Sequence, residues 1–179
     1  TTNIHINGYT IIAKLNQSQE LCTYLAKSTQ NGEFVVLKDC DSTMLPIYRK
    51  RLTLRHKNIC NILGILQSND SYMIVQEFIN GESLEAKLSR EHLLSEDVAK
   101  NYIIQLCNGL NVLHKAGIIH LDINPNNIMI STDNTLKIID LGIAREYKKN
   151  QSTDTQIFGT VGYAAPEQFG FKQSNNSTD

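Results

Sequence analysis

The hydrophobic pattern changes period once, near Glu77, and that change fixes what the chain can build. Before it, five short apolar runs at 9–15, 21–26, 34–38, 62–67 and 72–77 are separated by Asn, Gln, Ser, Asp and Gly. Such runs between turn-forming residues predict an antiparallel sheet. Between the third and fourth runs, Ser42 or Thr43 is placed to cap a short helix around 45–54, with Pro46 tolerated in its first turn. After Glu77 the period becomes helical. Ser95 is expected to cap a long helix with Glu96 and Asp97 in its first turn, Val98, Tyr102, Leu106, Leu110 and Leu113 on one face, and Gly117 beyond its end. Ile128-Met129-Ile130 and Leu136-Lys137-Ile138-Ile139 flank Asp133-Asn134, which predicts a hairpin returning Asp140 beside Asn127. The expectation is an α+β chain without internal repeats, sheet first and helices second, whose polar 172–179 stretch frays.

The loop after the long helix carries the chemistry. His120-Leu121-Asp122-Ile123-Asn124-Pro125-Asn126-Asn127-Ile128-Met129 has the H-x-D-x-x-x-x-N spacing, and Asp140-Leu141-Gly142 follows thirteen residues after Asn127. A carboxylate at Asp122 can orient a substrate hydroxyl. Asn127 offers a neutral oxygen and Asp140 a charged one to Mg²⁺. Moving a phosphoryl group is mostly positioning and charge neutralisation, so hard oxygen ligands at fixed separation matter more than a reactive nucleophile.

With those residues in view the chain resembles a protein kinase of the bacterial serine/threonine type over essentially its whole length. Gly159-Thr160-Val161-Gly162-Tyr163-Ala164-Ala165-Pro166-Glu167 is similar to the G-T-x-x-Y-x-A-P-E stretch that closes an activation segment. Phe34-Val35-Val36-Leu37-Lys38 resembles the V-A-I-K strand, and Ile74-Val75-Gln76-Glu77-Phe78 the strand and hinge that carry adenine. The resemblance implies one domain over 1–179, a sheet-rich small lobe over 1–78 with one short helix, and a partial helical lobe over 79–179. It implies ATP and Mg²⁺ as cofactors, with Lys38, Leu15, Val36, Glu77, Asn127, Met129 and Asp140 on the nucleotide and Asn127 and Asp140 on the metal. Asp122 and the lysine-replacing Asn124 are the catalytic-loop candidates. His120 is expected to be a packed, hydrogen-bonded support.

Departures from the pattern point toward impaired turnover. Asn16, Ser18 and Leu21 stand where the family has three glycines, and side chains there obstruct close approach of backbone amides to phosphate. No glutamate lies between Glu33 and Glu77, the interval that normally supplies the partner of Lys38. Only seventeen residues separate Lys38 from His56, so the intervening helix is short, and Arg55-His56-Lys57-Asn58-Ile59 resembles the entry to the next strand. Leu121 replaces the arginine that usually answers a phosphorylated activation segment, which removes the counter-charge for Ser152, Thr153 or Thr155. Asn124 replaces a lysine that neutralises the γ-phosphate, a loss of about 2–4 kcal/mol of transition-state stabilisation by analogy with other fixed donors. By resemblance, Ser177-Thr178-Asp179 opens the helix whose aspartate ties down the catalytic loop. Glu167 is expected to lack its usual arginine, so that either missing helices or a partner chain, an oligomer included, would cover the surface.

Three functions fit: an ATP- and Mg²⁺-dependent serine/threonine kinase acting on protein hydroxyls, a pseudokinase serving as a nucleotide-binding or regulatory module, and a small-molecule phosphotransferase of the aminoglycoside-kinase type. The last lacks the segment at 159–167. A net charge of −1 over 179 residues gives no electrostatic reason to expect nucleic acid as a partner. The clustered Arg49, Lys50, Arg51, Arg55 and Lys57 read as a solvated helix face. No apolar run is long enough for a membrane span. Cys22, Cys40, Cys60 and Cys107 lack C-x-x-C spacing, which suggests free thiols and a cytoplasmic setting.

Overall fold

A computed structural model describes residues 5–16, 21–68, 71–140, 144–146, 159–169 and 172–179. Ser18, Leu141, Gly142, Ser152, Thr153 and Thr155 lie outside the described residues. The chain divides into two units, Thr1–Leu54 with Asn61–Ile79, and Arg55–Cys60 with Asn80–Asp179.

The first unit is one antiparallel sheet. Its strands are β1 His5–Ile6, β2 Tyr9–Lys14, β3 Thr23–Ser28, β4 Phe34–Cys40, β5 Ile62–Ser68 and β6 Ser71–Glu77, in the order β1-β2-β3-β4-β6-β5. All five expected strands form, and β1 adds a short edge. Side chains alternate across a strand. Val35 and Leu37 of β4 therefore bury with Ala26 and Val75, while Val36 and Lys38 turn to the opposite face. Helix α1, Leu45–Arg51, buries Leu45, Ile47, Tyr48 and Arg51 and is shorter than its expected span, so of the basic cluster expected on a solvated face Arg51 instead turns inward. Neither Ser42 nor Thr43 caps it. A 3₁₀ turn at Ser42–Met44 intervenes, capped by Asp41, whose carboxylate accepts from Thr43 N at 2.7 Å. An oxygen two residues ahead of the amide is the ordinary Asx geometry, and Asp41 satisfies it earlier than either hydroxyl can.

The second unit holds β7 Gly81–Ser83, α2 Leu84–Glu91, α3 Glu96–Lys115, β8 Ile118–Ile119, β9 Ile128–Ser131, β10 Leu136–Ile138 and β11 Arg145–Glu146. Ser83 caps α2 and Ser95 caps α3, each hydroxyl accepting an amide three residues on. The α3 stripe is buried at Tyr102, Leu110 and Leu113, whereas Val98 at its start is exposed. β9 and β10 pair through a turn in which Asn134 takes φ 60°, and β7 extends this sheet on the other side.

Arg55–Cys60 is held by this unit. Asn58 donates to Gln105 Oε1 and Leu136 O, both at 2.9 Å, and Cys60 N donates to Ile138 O at 2.8 Å. Gly109 of α3 makes the fit possible. A Cβ there would stand 2.7 Å from Asn58 O and 2.9 Å from Ile138 Cδ1. Gly109→Ala should therefore lose more through overpacking, about 1–3 kcal/mol, than the roughly 1 kcal/mol it gains in helix propensity. Thermal unfolding should show a lower midpoint, by about 2–4 °C per net kcal/mol. An unchanged or raised midpoint would contradict this packing.

Candidate active site

The catalytic-loop residues come together in the second unit. Ile139 N donates to Asn127 O at 3.0 Å, so the β9–β10 hairpin returns Asp140 next to Asn127 as its turn sequence implies. Asp122 sits among three side-chain donors. Its Oδ2 accepts from Asn127 Nδ2 at 2.8 Å, and its Oδ1 from Thr160 Oγ1 at 2.6 Å and Asn124 Nδ2 at 2.9 Å. The Asn127 amide also donates to Asp122 O at 2.9 Å. With its NH₂ turned to Asp122, Asn127 keeps Oδ1 for a cation. Asn127 and Asp140 make a small set of hard oxygens, which suits Mg²⁺, an ion that completes its shell with water and phosphate. No group of three or more His, Cys, Asp or Glu that could hold a metal occurs among the described residues.

Asn124 is 4% exposed, and its side chain turns inward. Besides Asp122 it donates to Thr160 Oγ1 at 3.2 Å, and its Oδ1 accepts from Asn126 N at 3.0 Å, capping the 3₁₀ turn Pro125–Asn127. The position where the family carries a cation thus orients Asp122 and starts the turn that delivers Asn127.

The backbone beneath Asp122 is strained and held. Leu121 is buried at φ 67° and Asp140 takes φ 43°, conformations that non-glycine residues seldom adopt and that persist where surroundings over-determine them. Asp179 supplies part of that hold. Its fully buried carboxylate accepts from His120 N at 2.8 Å, Leu121 N at 2.7 Å and His114 Nε2 at 2.8 Å. The 172–179 stretch is anchored here, against the expectation that it frays. Glu167 also has a partner: Thr178 Oγ1 donates to its Oε1 at 2.7 Å. His120 is the expected support. Burial holds its pKa below the ordinary imidazole value, its Nδ1 accepts from Asp122 N at 3.2 Å, and its Nε2 bonds Ile139 O at 3.0 Å. A ring nitrogen that accepts an amide carries no proton, so the ring is the neutral Nε2–H tautomer.

The remaining candidates divide by unit. Met129 lies half-buried on β9 in the second. Leu15, Val36, Lys38 and Glu77 lie in the first, with Leu15 exposed just beyond β2 and Glu77 closing β6, its Oε1 accepting from Asn61 N at 2.7 Å. Asn16 bridges the hairpin where a glycine was expected, donating to Leu21 O at 2.6 Å and accepting from Thr23 N at 2.9 Å. Backbone groups at the base of the loop are thereby occupied by a side chain. The four cysteines are free thiols.

The family model for the protein kinase domain matches residues 14–179. The chain belongs to the protein kinase superfamily. This kinase domain is 31% identical to an Aurora kinase of Schizosaccharomyces pombe, an alignment covering 98% of the chain and 52% of the relative. It is 30% identical to the human serine/threonine-protein kinase Nek5 over 97% of the chain and 26% of that protein. It is 34% identical to a probable serine/threonine-protein kinase PknB of Lactococcus lactis over 64% of the chain and 18% of that protein. The chain therefore spans about half, or less, of the length of these relatives.

Proposed function

We propose that this kinase domain transfers the γ-phosphate of ATP to a serine or threonine hydroxyl of a protein, with Mg²⁺ and at a reduced rate. The observation that carries the reading is the engagement of both Asp122 oxygens by Asn127, Thr160 and Asn124, which aims one carboxylate and leaves an amide oxygen beside Asp140. Asp122 orients the acceptor hydroxyl and receives its proton. Asn127 and Asp140 would hold the metal. Asn124 is a positioning residue, acting through Asp122. Lys38, Leu15, Val36, Glu77 and Met129 are the proposed nucleotide contacts. When bound, magnesium nucleotide supplies the phosphoryl group and neutralises the charge that develops on it. The reduced rate follows from the neutral Asn124 and from the occupied loop base at Asn16. No helix among the described residues is long and apolar enough to cross a membrane; the proposed setting is cytoplasmic. A protein substrate or regulated partner protein also belongs to this reading.

The same two departures favour, as a second reading, a pseudokinase that binds nucleotide without turnover. Both readings require a metal-dependent nucleotide site. At one hundred times its dissociation constant, a ligand specific for the native state adds about 2.7 kcal/mol, so Mg²⁺-ATP should raise the unfolding midpoint by roughly 5–10 °C. Thermal unfolding with millimolar ATP, with Mg²⁺ and with a chelator, is the check. No shift, or a shift indifferent to Mg²⁺, would rule out the site.

A further inference from the structure

The peptide unit joining Leu121 to Asp122 is gripped at both ends. Its N–H donates to His120 Nδ1, and its carbonyl accepts from Gln168 Nε2 at 2.8 Å. Gln168 is 4% exposed, and its other amide atom, Oε1, accepts from Ala165 N at 3.0 Å. The donor and acceptor ends of its carboxamide are thus fixed by partners that cannot exchange roles. Room for this amide is built into the chain at Gly159, φ +137°, where a Cβ would lie 2.8 Å from Gln168 Nε2 and 2.6 Å from Ala164 Cβ. The next residue, Thr160, delivers its hydroxyl to Asp122. The segment 159–168 therefore reaches the catalytic loop twice: at the Asp122 carboxylate through Thr160, and at the strained peptide before it through Gln168.

We infer that Gln168 is a positioning residue for phosphoryl transfer, one that holds Asp122 in place through the Leu121 carbonyl. It docks the segment on the loop with an uncharged hydrogen bond to the backbone carbonyl of Leu121, the residue that stands where the family pattern has an arginine. The positive φ of Leu121 makes this peptide the one whose orientation needs enforcing. Asp179 secures the amide on the near side of Leu121, and Gln168 secures the carbonyl on the far side. A buried donor is stronger and more demanding of geometry than an exposed one, so the buried Gln168 amide fixes the plane rather than merely touching it.

The inference rests on the kinase reading for its effect on rate, and its test has an arm independent of rate. Gln168→Glu keeps shape and the acceptor toward Ala165 N but, when ionised, replaces the donor to Leu121 O with an oxygen. Gln168→Met keeps bulk and buries no charge. Hydrogen exchange of the Asp122 amide, followed by NMR, should accelerate by about tenfold in both, as expected for one lost net hydrogen bond, while amides of β9 and β10 keep their rates. The turnover number should fall by on the order of 10²-fold, the scale of a small misplacement, with KM for ATP changed much less. Lowering the pH from 8 to 5.5 should restore Gln168→Glu relative to the parent, because burial at this site raises the carboxyl above the ordinary glutamate value and its protonated form can again donate, and should not restore Gln168→Met. Unchanged Asp122 exchange in Gln168→Met, or acceleration spread evenly over the whole unit, would overturn the inference. A parent without transfer activity would instead defeat the kinase reading, and the exchange measurement would still decide whether Gln168 fixes the peptide.

Discussion

Asp122→Asn should lower phosphoryl transfer by about 10²–10⁴-fold, the usual loss when a positioned proton acceptor is removed, with little change in fold. Asn preserves size and one acceptor, so part of the network from Asn127, Thr160 and Asn124 survives. What disappears is the carboxylate that orients the acceptor hydroxyl and takes its proton. Initial rates with a generic basic protein, compared for parent and variant at equal folded fraction, measure the ratio. Equal rates would show that Asp122 has no such role.

Asp179→Ala should produce the largest loss of stability. The carboxylate is fully buried and accepts the amides of His120 and Leu121 together with His114 Nε2. Removing it leaves two backbone donors without partners at about 1–3 kcal/mol each, and relaxes the left-handed Leu121. The expected cost is roughly 3 kcal/mol or more, read as a lower urea midpoint at unchanged slope. Asp179→Asn, which keeps one acceptor but turns an NH₂ toward an amide, should fall between. A cost under about 1 kcal/mol for the alanine variant would mean that the loop is held by something else.

Much of the architecture is legible in the sequence because it is locally encoded. The strands announce themselves as apolar runs between turn formers, Ser95 stands directly before a helical stripe, and Asp133-Asn134 sits at the tip of a hairpin. Asp122, Asn127 and Asp140 are readable from spacing, since a loop and a hairpin of fixed length bring them together. The sequence suggests Ser42 or Thr43 as the cap of α1, but α1 starts after Met44 with no side-chain cap, because a 3₁₀ turn capped by Asp41 stands ahead of it. The hold on Asp122 is different in kind. Thr160, Gln168 and Asp179 reach the loop across gaps of 38, 47 and 58 or 59 residues, and no periodic pattern signals such contacts; only the tie from Asp179 was implied, and that by family resemblance. Gly159 carried a trace of it, for glycine at a positive φ beside a bulky amide marks a close approach. Asn16 and Asn124 read as losses in sequence, yet each makes hydrogen bonds that the replaced glycine or lysine would not make in the same way.

Transfer of radiolabelled phosphate from ATP to protein by the unmodified chain, with Mg²⁺ and with a chelator, followed by phosphoamino-acid analysis, decides whether this loop is a working phosphotransferase. Slow, Mg²⁺-dependent incorporation on serine or threonine, lost in Asp122→Asn, is the expected result. No incorporation with Mg²⁺ present, or incorporation that survives in Asp122→Asn, would contradict it.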